Sequence, residues 1–332
     1  MNIVVTGSVA FDYIMSFPGR FTDHLLPDRL DRISLSFLVD DMRKVYGGCA
    51  PNIAYSLALL GERPRLMATA GQDGVEYRDW LARNGVDTSL LHICQDCYTA
   101  SFFVSTDLDQ NQIASFYTGA MARARELSFH SVVSGVDDSA KPDIAIISPN
   151  DPQAMRRYAR ECQELHIAYI YDPSQQVARV SGDELLEGLT GAAVLILNDY
   201  EYGILQKKTE LDEPQLLARV PTIVVTLGEN GSRIVTRDGA FDVPVARPNA
   251  VLEPTGVGDA YRAGLIKGIV HGYPWPVAGR VAALAAAYVI EHPGPQPRPY
   301  TLREFVARYR ENFGNTPELC DWRDPPFQAP TG

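Results

Sequence analysis

The 332-residue sequence predicts an α/β protein in which a doubly wound, mainly parallel sheet is flanked by helices and carries a small β-sheet lid. Two observations lead to this prediction. In the second half of the chain, short apolar runs alternate with helical patterns, which is typical of buried parallel strands joined by helices. In the first half, residues 33–39 alternate in the period of a half-buried strand, and two strand-like runs at 99–106 and 112–118 add a hairpin, so two insertions look like parts of one small sheet.

The first part of the chain begins with a buried strand, predicted at Ile3–Thr6 from its β-branched residues. Alternation over residues 33–39 predicts a half-buried strand. Helical patterns at residues 52–60 and 74–83 end at a glycine or an Asn-Gly pair. A further strand is predicted between these helices, at residues 66–70.

The lid is predicted from two interruptions of this pattern. Strand-like runs at residues 99–106 and 112–118, joined by a polar stretch, predict a hairpin that belongs to one small sheet with the strand at 33–39. The predicted boundaries are 1–11, 46–89 and 119–316 for a large α/β unit, 12–45 and 90–118 for the lid, and 317–332 for a C-terminal extension.

The second half of the chain alternates between the two element types. Strands are predicted at Ile144–Ile147, Ala168–Tyr171, 193–197 and Thr222–Thr226, and helices at 257–271, 276–291 and 302–312. Open α/β sheets bind ligands at the carboxyl ends of their strands. We therefore expect the functional residues in the loops that follow strands.

Composition and charge narrow the class of partner. The chain has 30 Lys and Arg against 41 Asp and Glu, a formal net charge of −11, which argues against nucleic acid or an anionic membrane surface as partner. A bound phosphate should then be held by backbone amides and a few fixed side chains. No apolar run approaches the roughly 20 residues that cross a bilayer, and the start does not resemble a signal peptide, so we predict a cytoplasmic protein.

The cysteines and histidines suggest no metal centre or disulfide framework. Cys94 and Cys97 form a CxxC pair, but no second pair or spaced histidines complete a zinc site. We interpret them as small residues of a strand region in a reducing compartment, in preference to a redox or half-zinc site.

The strongest chemical signal is the segment 253–260, Glu-Pro-Thr-Gly-Val-Gly-Asp-Ala, which leads into a predicted helix. The backbone amides of Gly256, Val257 and Gly258 would lie at the positive end of the helix dipole and form an anion hole. Asp259 would then stand beside bound phosphate oxygens, where a carboxylate can accept the proton of an attacking hydroxyl. A glycine-rich turn followed by an ordinary first-turn aspartate is the alternative.

Three further segments add to this signal. Gly-Gly-Cys-Ala-Pro-Asn-Ile-Ala spans residues 47–54, Asn-Asp-Tyr-Glu spans 198–201 and Thr-Leu-Gly-Glu-Asn-Gly spans 226–231. Each one alone fits a loop, and Asn198 alone fits a helix N-cap. The chain contains neither GxxxxGK[ST] nor a GxGxxG fingerprint after its first strand, which argues against a P-loop NTPase and a classical dinucleotide-binding dehydrogenase.

In this order along the chain, the segments resemble the signatures of the ribokinase (PfkB) family of small-molecule kinases, from Gly7 to about Gln296. The resemblance implies a ribokinase-like fold and an ATP-dependent phosphotransferase. It implies that Asp259 is the catalytic base, and that residues 256–258 bind the transferred phosphate. It further implies that the acceptor is bound by Asp12, Gly47, Gly48 and Asn52.

The same resemblance assigns the nucleotide and metal residues. ATP is expected to contact Asn198, Thr226, Gly228 and Gly231, and Glu201 is expected to order Mg²⁺ through water. One departure stands out, because the family usually has Asp where this chain has Glu253. In relatives that region adjoins a monovalent-cation site, so the departure argues against potassium activation.

The acceptor is predicted to be a nucleoside, with adenosine first. The segments 111–121 and 294–296 resemble adenosine-kinase-like members more than ribokinases, and the lid strands carry aromatic residues on which a base could stack: Phe102, Phe103, Phe116 and Tyr117. A sugar kinase and a non-catalytic nucleoside or sugar sensor stay open as alternatives. Arg262 could contact phosphate or pair with an acid, and an exposed lid edge allows a homodimer.

Overall fold

The computed structural model describes residues 1–24, 35–134, 137 and 141–322. The strands within these residues are β1 Ile3–Thr6, β2 Ala10–Ser16, β3 Asp41–Gly47, β4 Arg65–Gly71, β5 Leu91–Cys94, β6 Ala100–Thr106, β7 Gln112–Tyr117, β8 Ile144–Ile147, β9 Ala168–Tyr171, β10 Val194–Asn198, β11 Thr222–Thr226, β12 Ser232–Thr236 and β13 Gly239–Val243. The α-helices within them are α1 Cys49–Leu59, α2 Val75–Arg83, α3 Phe129–Val133, α4 Pro152–Glu164, α5 Gly182–Leu189, α6 Asp199–Thr209, α7 Glu213–Leu217, α8 Val257–Val270, α9 Trp275–Ile290 and α10 Leu302–Phe313.

The described strands form a nine-stranded sheet in the order β13-β12-β11-β10-β9-β8-β1-β4-β5. The strands from β11 to β5 run parallel, and β12 and β13 extend one edge in the antiparallel sense. This architecture confirms the predicted ribokinase-like α/β fold. Because the chain leaves β1 for β4 on one side and returns to β8 on the other, the carboxyl ends of β1 and β8 border the crevice where such sheets bind ligands.

Helices cover both faces of the sheet, as buried parallel strands require. On one face the core includes Ile53 of α1 and Leu265 of α8, and on the other it includes Tyr158 of α4 and Leu185 of α5. The strands β1, β8, β9 and β11 match their predicted bounds, because short runs of apolar and β-branched residues mark buried strands clearly.

Helix α8 is held in place by close packing on α9. A Cβ built at Gly264 would lie 2.5 Å from the Cα of Ala282, and one at Gly268 would lie 2.6 Å from the Cα of Ala278. Glycine at both positions lets the two helix backbones approach. The amino end of α8 is thereby fixed at the crevice.

The lid is a four-stranded sheet in the order β3-β2-β6-β7. β2 pairs with β3 in the antiparallel sense and with β6 in the parallel sense, and β6 and β7 form the predicted hairpin. Asp107 stabilises the hairpin turn, because its side chain accepts hydrogen bonds from the amides of Asp109, at 2.9 Å, and Asn111, at 2.8 Å.

One predicted lid strand is wrong. Residues 35–39 are not a strand, and residues 33 and 34 lie outside the described residues. The strand that pairs with β2 is β3, from Asp41 to Gly47. Of the alternating residues, Phe37 packs against the rings of Phe17 and Phe21, each at 4.9 Å between centroids, instead of lying in a sheet.

The predicted lid segment 90–118 also begins too early. It includes β5, which pairs with β4 of the large sheet, with Leu91 opposite Ala68 and Cys94 opposite Gly71. The hairpin of β12 and β13 was not predicted, although Asp238 and Gly239 at its turn are a common hairpin signal. The division of the chain into a large unit, a lid and an extension otherwise stays a prediction.

The described part of the C-terminal extension packs against the body of the protein. Leu319 is buried, and the indole Nε1 of Trp322 donates a hydrogen bond of 2.6 Å to the hydroxyl of Tyr273. The ammonium of Lys267 lies 4.9 Å from the Trp322 ring. None of the helices in the described ranges is long and apolar enough to cross a membrane.

Candidate active site

The amino end of α8 forms the floor of the site. Gly256 is the N-cap residue, with φ of +80°, and a Cβ there would lie 2.6 Å from the carbonyl oxygen of Pro295. Glycine has no side chain that could accept the first-turn amides, so amides at this helix start are available to an anion. One predicted donor differs from the others, because the Val257 amide points to the Pro254 carbonyl, at 3.3 Å.

Asp259 lies in the first turn of α8 and is half-buried. The Nδ2 of Asn52 donates a hydrogen bond of 2.9 Å to its Oδ2. Burial raises the pKa of Asp259 to about 7, although the charge of Arg262 and the hydrogen bond from Asn52 both act to lower it. A carboxylate with a pKa near neutral pH is suited to take up and release a proton.

Asn52 belongs to a hydrogen-bond chain that joins distant segments. The Nε2 of Gln296 donates to the Oδ1 of Asn52, at 3.2 Å, and to the hydroxyl of Tyr77, at 2.7 Å. The Tyr77 hydroxyl in turn donates to the Gly47 carbonyl, at 3.1 Å. These hydrogen bonds therefore hold the Gly47 turn and Asn52 in fixed positions relative to Asp259.

Asp12 lies on the lid strand β2, opposite the end of β3. A Cβ at Gly47 would lie 2.6 Å from its Oδ2, so glycine at that position makes room for the carboxylate. Burial, followed by the charge of Glu253, raises the pKa of Asp12 to about 6. Glu253 itself accepts a hydrogen bond of 2.9 Å from the Gly294 amide.

Asn198 and Glu201 form a reciprocal capping box at the start of α6. The Glu201 amide donates to Asn198 Oδ1, at 2.8 Å, and the Asn198 amide donates to Glu201 Oε2, at 2.9 Å. Burial raises the pKa of Glu201, and the hydrogen bond from Asn198 acts in the opposite direction. The N-cap interpretation of Asn198 is thus correct, and it does not exclude a ligand role.

The turn after β11 requires glycine. Gly228 has φ of +58° and Gly231 has φ of +89°, and a Cβ at Gly231 would lie 2.1 Å from the carbonyl oxygen of Val243. This turn follows Thr226 at the end of β11.

A cavity of about 880 Å³ joins these elements, within the range of ligand sites. The predicted residues that line it are Asn198, Glu201, Thr226, Gly228, Gly231, Gly256, Val257, Gly258 and Asp259. The predicted acceptor residues Asp12, Gly47, Gly48 and Asn52 do not line it, and they adjoin it through the hydrogen bond from Asn52 to Asp259.

Sequence reasoning missed the partners of Arg262. The guanidinium forms a bidentate ion pair with Asp172, and it also bonds the hydroxyl of Ser174. Arg262 and Ser174 line the cavity. A signal existed, since Asp172 and Ser174 directly follow β9, in the kind of loop where ligand-binding residues were expected.

The cysteines are free thiols. Burial, together with the charge of Cys97, raises the pKa of Cys94 to about 11, so this thiol is protonated at neutral pH. In the described ranges no three His, Cys, Asp or Glu side chains cluster closely enough to hold a metal ion by themselves.

Comparison with known proteins identifies the family. The pfkB family of carbohydrate kinases matches residues 4–301. The chain belongs to the PfkB family. A PfkB kinase is a phosphotransferase, and the glycine-rich start of α8 with Asp259 lies within the matched region.

Within the PfkB family, nucleoside kinases are among the most similar proteins. The nucleoside kinase of Burkholderia thailandensis, solved in complex with inosine, shares 38% identity and a TM-score of 0.82, covering 94% of this chain and 98% of that one. The structure of the same protein in complex with ADP-inosine shares 38% identity and a TM-score of 0.80, covering 94% of this chain and 96% of that one. The nucleoside kinase of Methanothermobacter thermautotrophicus is 30% identical over 96% of this chain and 98% of its own length.

Proposed function

We propose that this PfkB kinase transfers the γ-phosphoryl group of ATP to the 5′-hydroxyl of a nucleoside, with adenosine the first substrate to test. The observation that carries the proposal is the position of Asp259. Its carboxylate, with a pKa of about 7, stands in the first turn of α8 beside available amides and within the large cavity. The similarity to nucleoside kinases solved with inosine and with ADP-inosine supports the choice of acceptor.

The proposed reaction follows from this geometry. Asp259 accepts the proton of the 5′-hydroxyl while the oxygen attacks the γ-phosphorus in line. Asn52 holds one carboxylate oxygen, Oδ2, and leaves Oδ1 for the hydroxyl. The first-turn amides of α8 stabilise the charge on the transferred group. Exclusion of water from the site by the bound substrates would limit wasteful hydrolysis of ATP.

The residues at the proposed phosphate site fit Mg²⁺. Glu201 and Asn198 offer oxygen ligands at the cavity wall, and Oε2 of Glu201 is directed by the Asn198 amide. Mg²⁺ prefers oxygen and keeps several waters, so this sparse donor set suits an ion held mainly by water and ATP phosphates. Bound there, Mg²⁺ would neutralise phosphate charge and orient the triphosphate.

The lid favours a nucleoside over a bare sugar. Phe102 of β6 is opposite Asp12 of β2 and opposite Phe116 of β7 in the sheet register, so the three side chains share one face. Phe102 is half-buried and Phe116 is 43% exposed. An aromatic surface next to a carboxylate that can bind hydroxyls suits a ribose that carries a base.

A panel of acceptors tests the proposal. Purified protein with ATP and Mg²⁺ is assayed for ADP formation with adenosine, inosine, cytidine, ribose and fructose, and the position of the phosphate is read by ³¹P NMR. We expect the highest kcat/KM with a purine nucleoside and a 5′-monophosphate product. Ribose or fructose exceeding every nucleoside would make the protein a sugar kinase. Tight nucleoside binding without turnover would make it a sensor.

A further inference from the structure

Arg262 is a buried cation whose guanidinium is held on one side by an ion pair. It lies one helical turn after Asp259, and only 7% of its surface is exposed. Its Nε donates to Oδ2 of Asp172, at 2.5 Å, and its Nη2 donates to Oδ1 of Asp172, at 2.7 Å. Asp172 itself is completely buried. A bidentate pair of this kind fixes the plane of the guanidinium.

Ser174 completes the support of Arg262. Its hydroxyl accepts a hydrogen bond of 3.0 Å from Nη2 and donates one of 2.7 Å to Oδ1 of Asp172. Ser174 has φ of +39°, a left-handed conformation that is uncommon outside glycine. Such strain is found mostly at functional sites, where the surrounding structure imposes it.

Three of the five N–H groups of Arg262 are used by these contacts: the one on Nε and both on Nη2. The two on Nη1 have no hydrogen-bond partner among the residues that the structure describes. Nη1 faces the helix start, since a Cβ at Gly258 would lie 2.8 Å from it. Arg262 also lines the cavity, together with Asp259, Asn198 and Glu201.

The electrostatic setting suits an anionic ligand. Burial is the largest single effect and acts to lower the pKa of the Arg262 guanidinium, but the charge and hydrogen bonds of Asp172 and the charges of Asp259 and Glu201 together raise this pKa above its usual value. Arg262 therefore stays charged. The charged guanidinium thus lies at the cavity wall, with Nη1 next to Gly258 at the start of α8.

We propose that Arg262 is a further catalytic residue, whose Nη1 binds the transferred phosphoryl group, and that Asp172 and Ser174 are positioning residues that aim it. This inference rests on the proposed kinase function. In the transfer, the bond between the γ-phosphorus and the β,γ-bridging oxygen breaks, and the bond to the acceptor oxygen forms. The acceptor proton goes to Asp259. Arg262 keeps all its protons and stabilises the negative charge on the phosphoryl oxygens.

The test compares Arg262→Gln with a matched control. Arg308 also forms a bidentate pair, with Glu291, and bonds the Arg247 carbonyl, but it lies outside the residues that line the 880 Å³ cavity. We expect Arg262→Gln to lower kcat by about 10²–10³, the usual effect of losing one charge-stabilising donor, and Arg308→Gln to leave kcat within about threefold. The acceptor KM should change less than about threefold in both, because Arg262 is proposed to contact the phosphoryl group and not the acceptor.

Ligand affinity supplies a second readout that needs no turnover. Calorimetry with Mg²⁺ measures binding of adenosine 5′-(β,γ-imido)triphosphate and of ADP. Arg262→Gln should weaken the triphosphate analogue about tenfold or more, as expected for a lost charge-assisted hydrogen bond, and change ADP by less than about twofold. Equal weakening of both would overturn the proposal, because Arg262 would then support the cavity in general.

The test requires variants that keep the native fold. Thermal melting identifies variants that lose stability, and Ser174→Ala, which leaves the Asp172 pair in place, is expected to lower kcat by about three- to tenfold, as for a neutral hydrogen bond. Added guanidinium ion should restore part of the activity of Arg262→Ala.

A folded Arg262→Gln with kcat within threefold of wild type would show a purely structural pair. If the wild type phosphorylates no nucleoside, the proposed function fails, and the two affinities still decide the role of Arg262.

Discussion

Asn52 and Asp259 lie 207 positions apart in the chain, and the Nδ2 of Asn52 donates a hydrogen bond of 2.9 Å to Oδ2 of Asp259. This contact joins the start of α1 to the start of α8. α1 follows the Gly47 turn and the lid, whereas α8 faces the cavity with Asn198 and Thr226. The hydrogen bond therefore connects the proposed acceptor site with the proposed phosphate site at the carboxyl group of the proposed base.

Replacement of Asp259 by Asn is expected to abolish most activity without unfolding the protein. The amide has the same shape and still accepts from Asn52, but it cannot take a proton. We expect kcat to fall by about 10²–10⁴, the usual worth of a general base. Steady-state kinetics with adenosine measures it, and Asp238→Asn on the exposed β12–β13 turn is the control. Turnover within threefold of wild type would remove Asp259 from the mechanism.

The pH dependence of kcat/KM is expected to follow the ionisation of Asp259. Burial raises the pKa of this carboxyl to about 7, and the base works only when deprotonated. Activity should therefore be constant at high pH and fall up to tenfold per unit as pH drops below about 7. The profile is measured at saturating ATP with varied nucleoside. A profile that stays flat down to pH 5 would contradict a base of this pKa.

The same pKa shift predicts a stabilised variant. The folded-state pKa of Asp259, about 7, exceeds the ordinary value of 3.8, so the native state binds an extra proton between those pH values. Stability from this group is present below about pH 4 and is lost as pH rises to 7, at up to about 1.4 kcal/mol per unit. Asp259→Asn should thus melt higher than wild type at pH 8, and the difference should shrink at pH 5. An unchanged melting difference between the two pH values would show that burial of the charge is not the cause.

Gly256→Ala is expected to impair both stability and activity. Its φ of +80° and the Pro295 carbonyl 2.6 Å from the added Cβ impose strain of roughly 1–3 kcal/mol. The start of α8 would have to shift, which displaces the amides and Asp259. Gly272 is the matched control, since its φ is +66° but nothing lies within 4 Å of an added Cβ. Gly272→Ala should cost about 1 kcal/mol and leave kcat intact. Equal kinetic losses in both variants would argue against a role of the Gly256 turn.

Local sequence patterns predict much of the fold. The strands Ile144–Ile147, Ala168–Tyr171 and Thr222–Thr226 are short runs of mainly apolar and β-branched residues, and burial on both faces favours that pattern. The glycine-rich start of α8 is equally local. By contrast, the alternation over residues 35–39 reflects an aromatic cluster around Phe37 rather than strand pairing, and no local rule separates the two.

Local sequence patterns could not predict the contacts between segments that are distant in the chain. Asp172 and Arg262 are 90 positions apart, and Gln296 meets Asn52 across 244 positions. Each residue is ordinary in its own segment, and its meaning comes from the sheet order that brings the loops after β1, β9 and β10 to one edge. The choice for Arg262 between a phosphate contact and an acid partner needed this arrangement, because only the structure shows that Asp172 is the acid partner and that Nη1 is left for the proposed phosphate contact.

The hydrogen bond from Asn52 should set where the pH profile of the enzyme lies. It lowers the pKa of Asp259 by favouring the charged form, against the larger effect of burial. Asn52→Ala removes this donor, so the acidic limb of kcat/KM should move to higher pH. Asn52→Asp adds a like charge and should move it further.

Gln296→Ala is the control, because Gln296 contacts Asn52 and Tyr77 but has no hydrogen bond to Asp259 among the described residues. Activity profiles of the three variants from pH 5 to 9 decide the matter. If the Asn52 variants lose activity at every pH with no displacement of the limb, Asn52 acts on the acceptor alone and not on the basicity of Asp259.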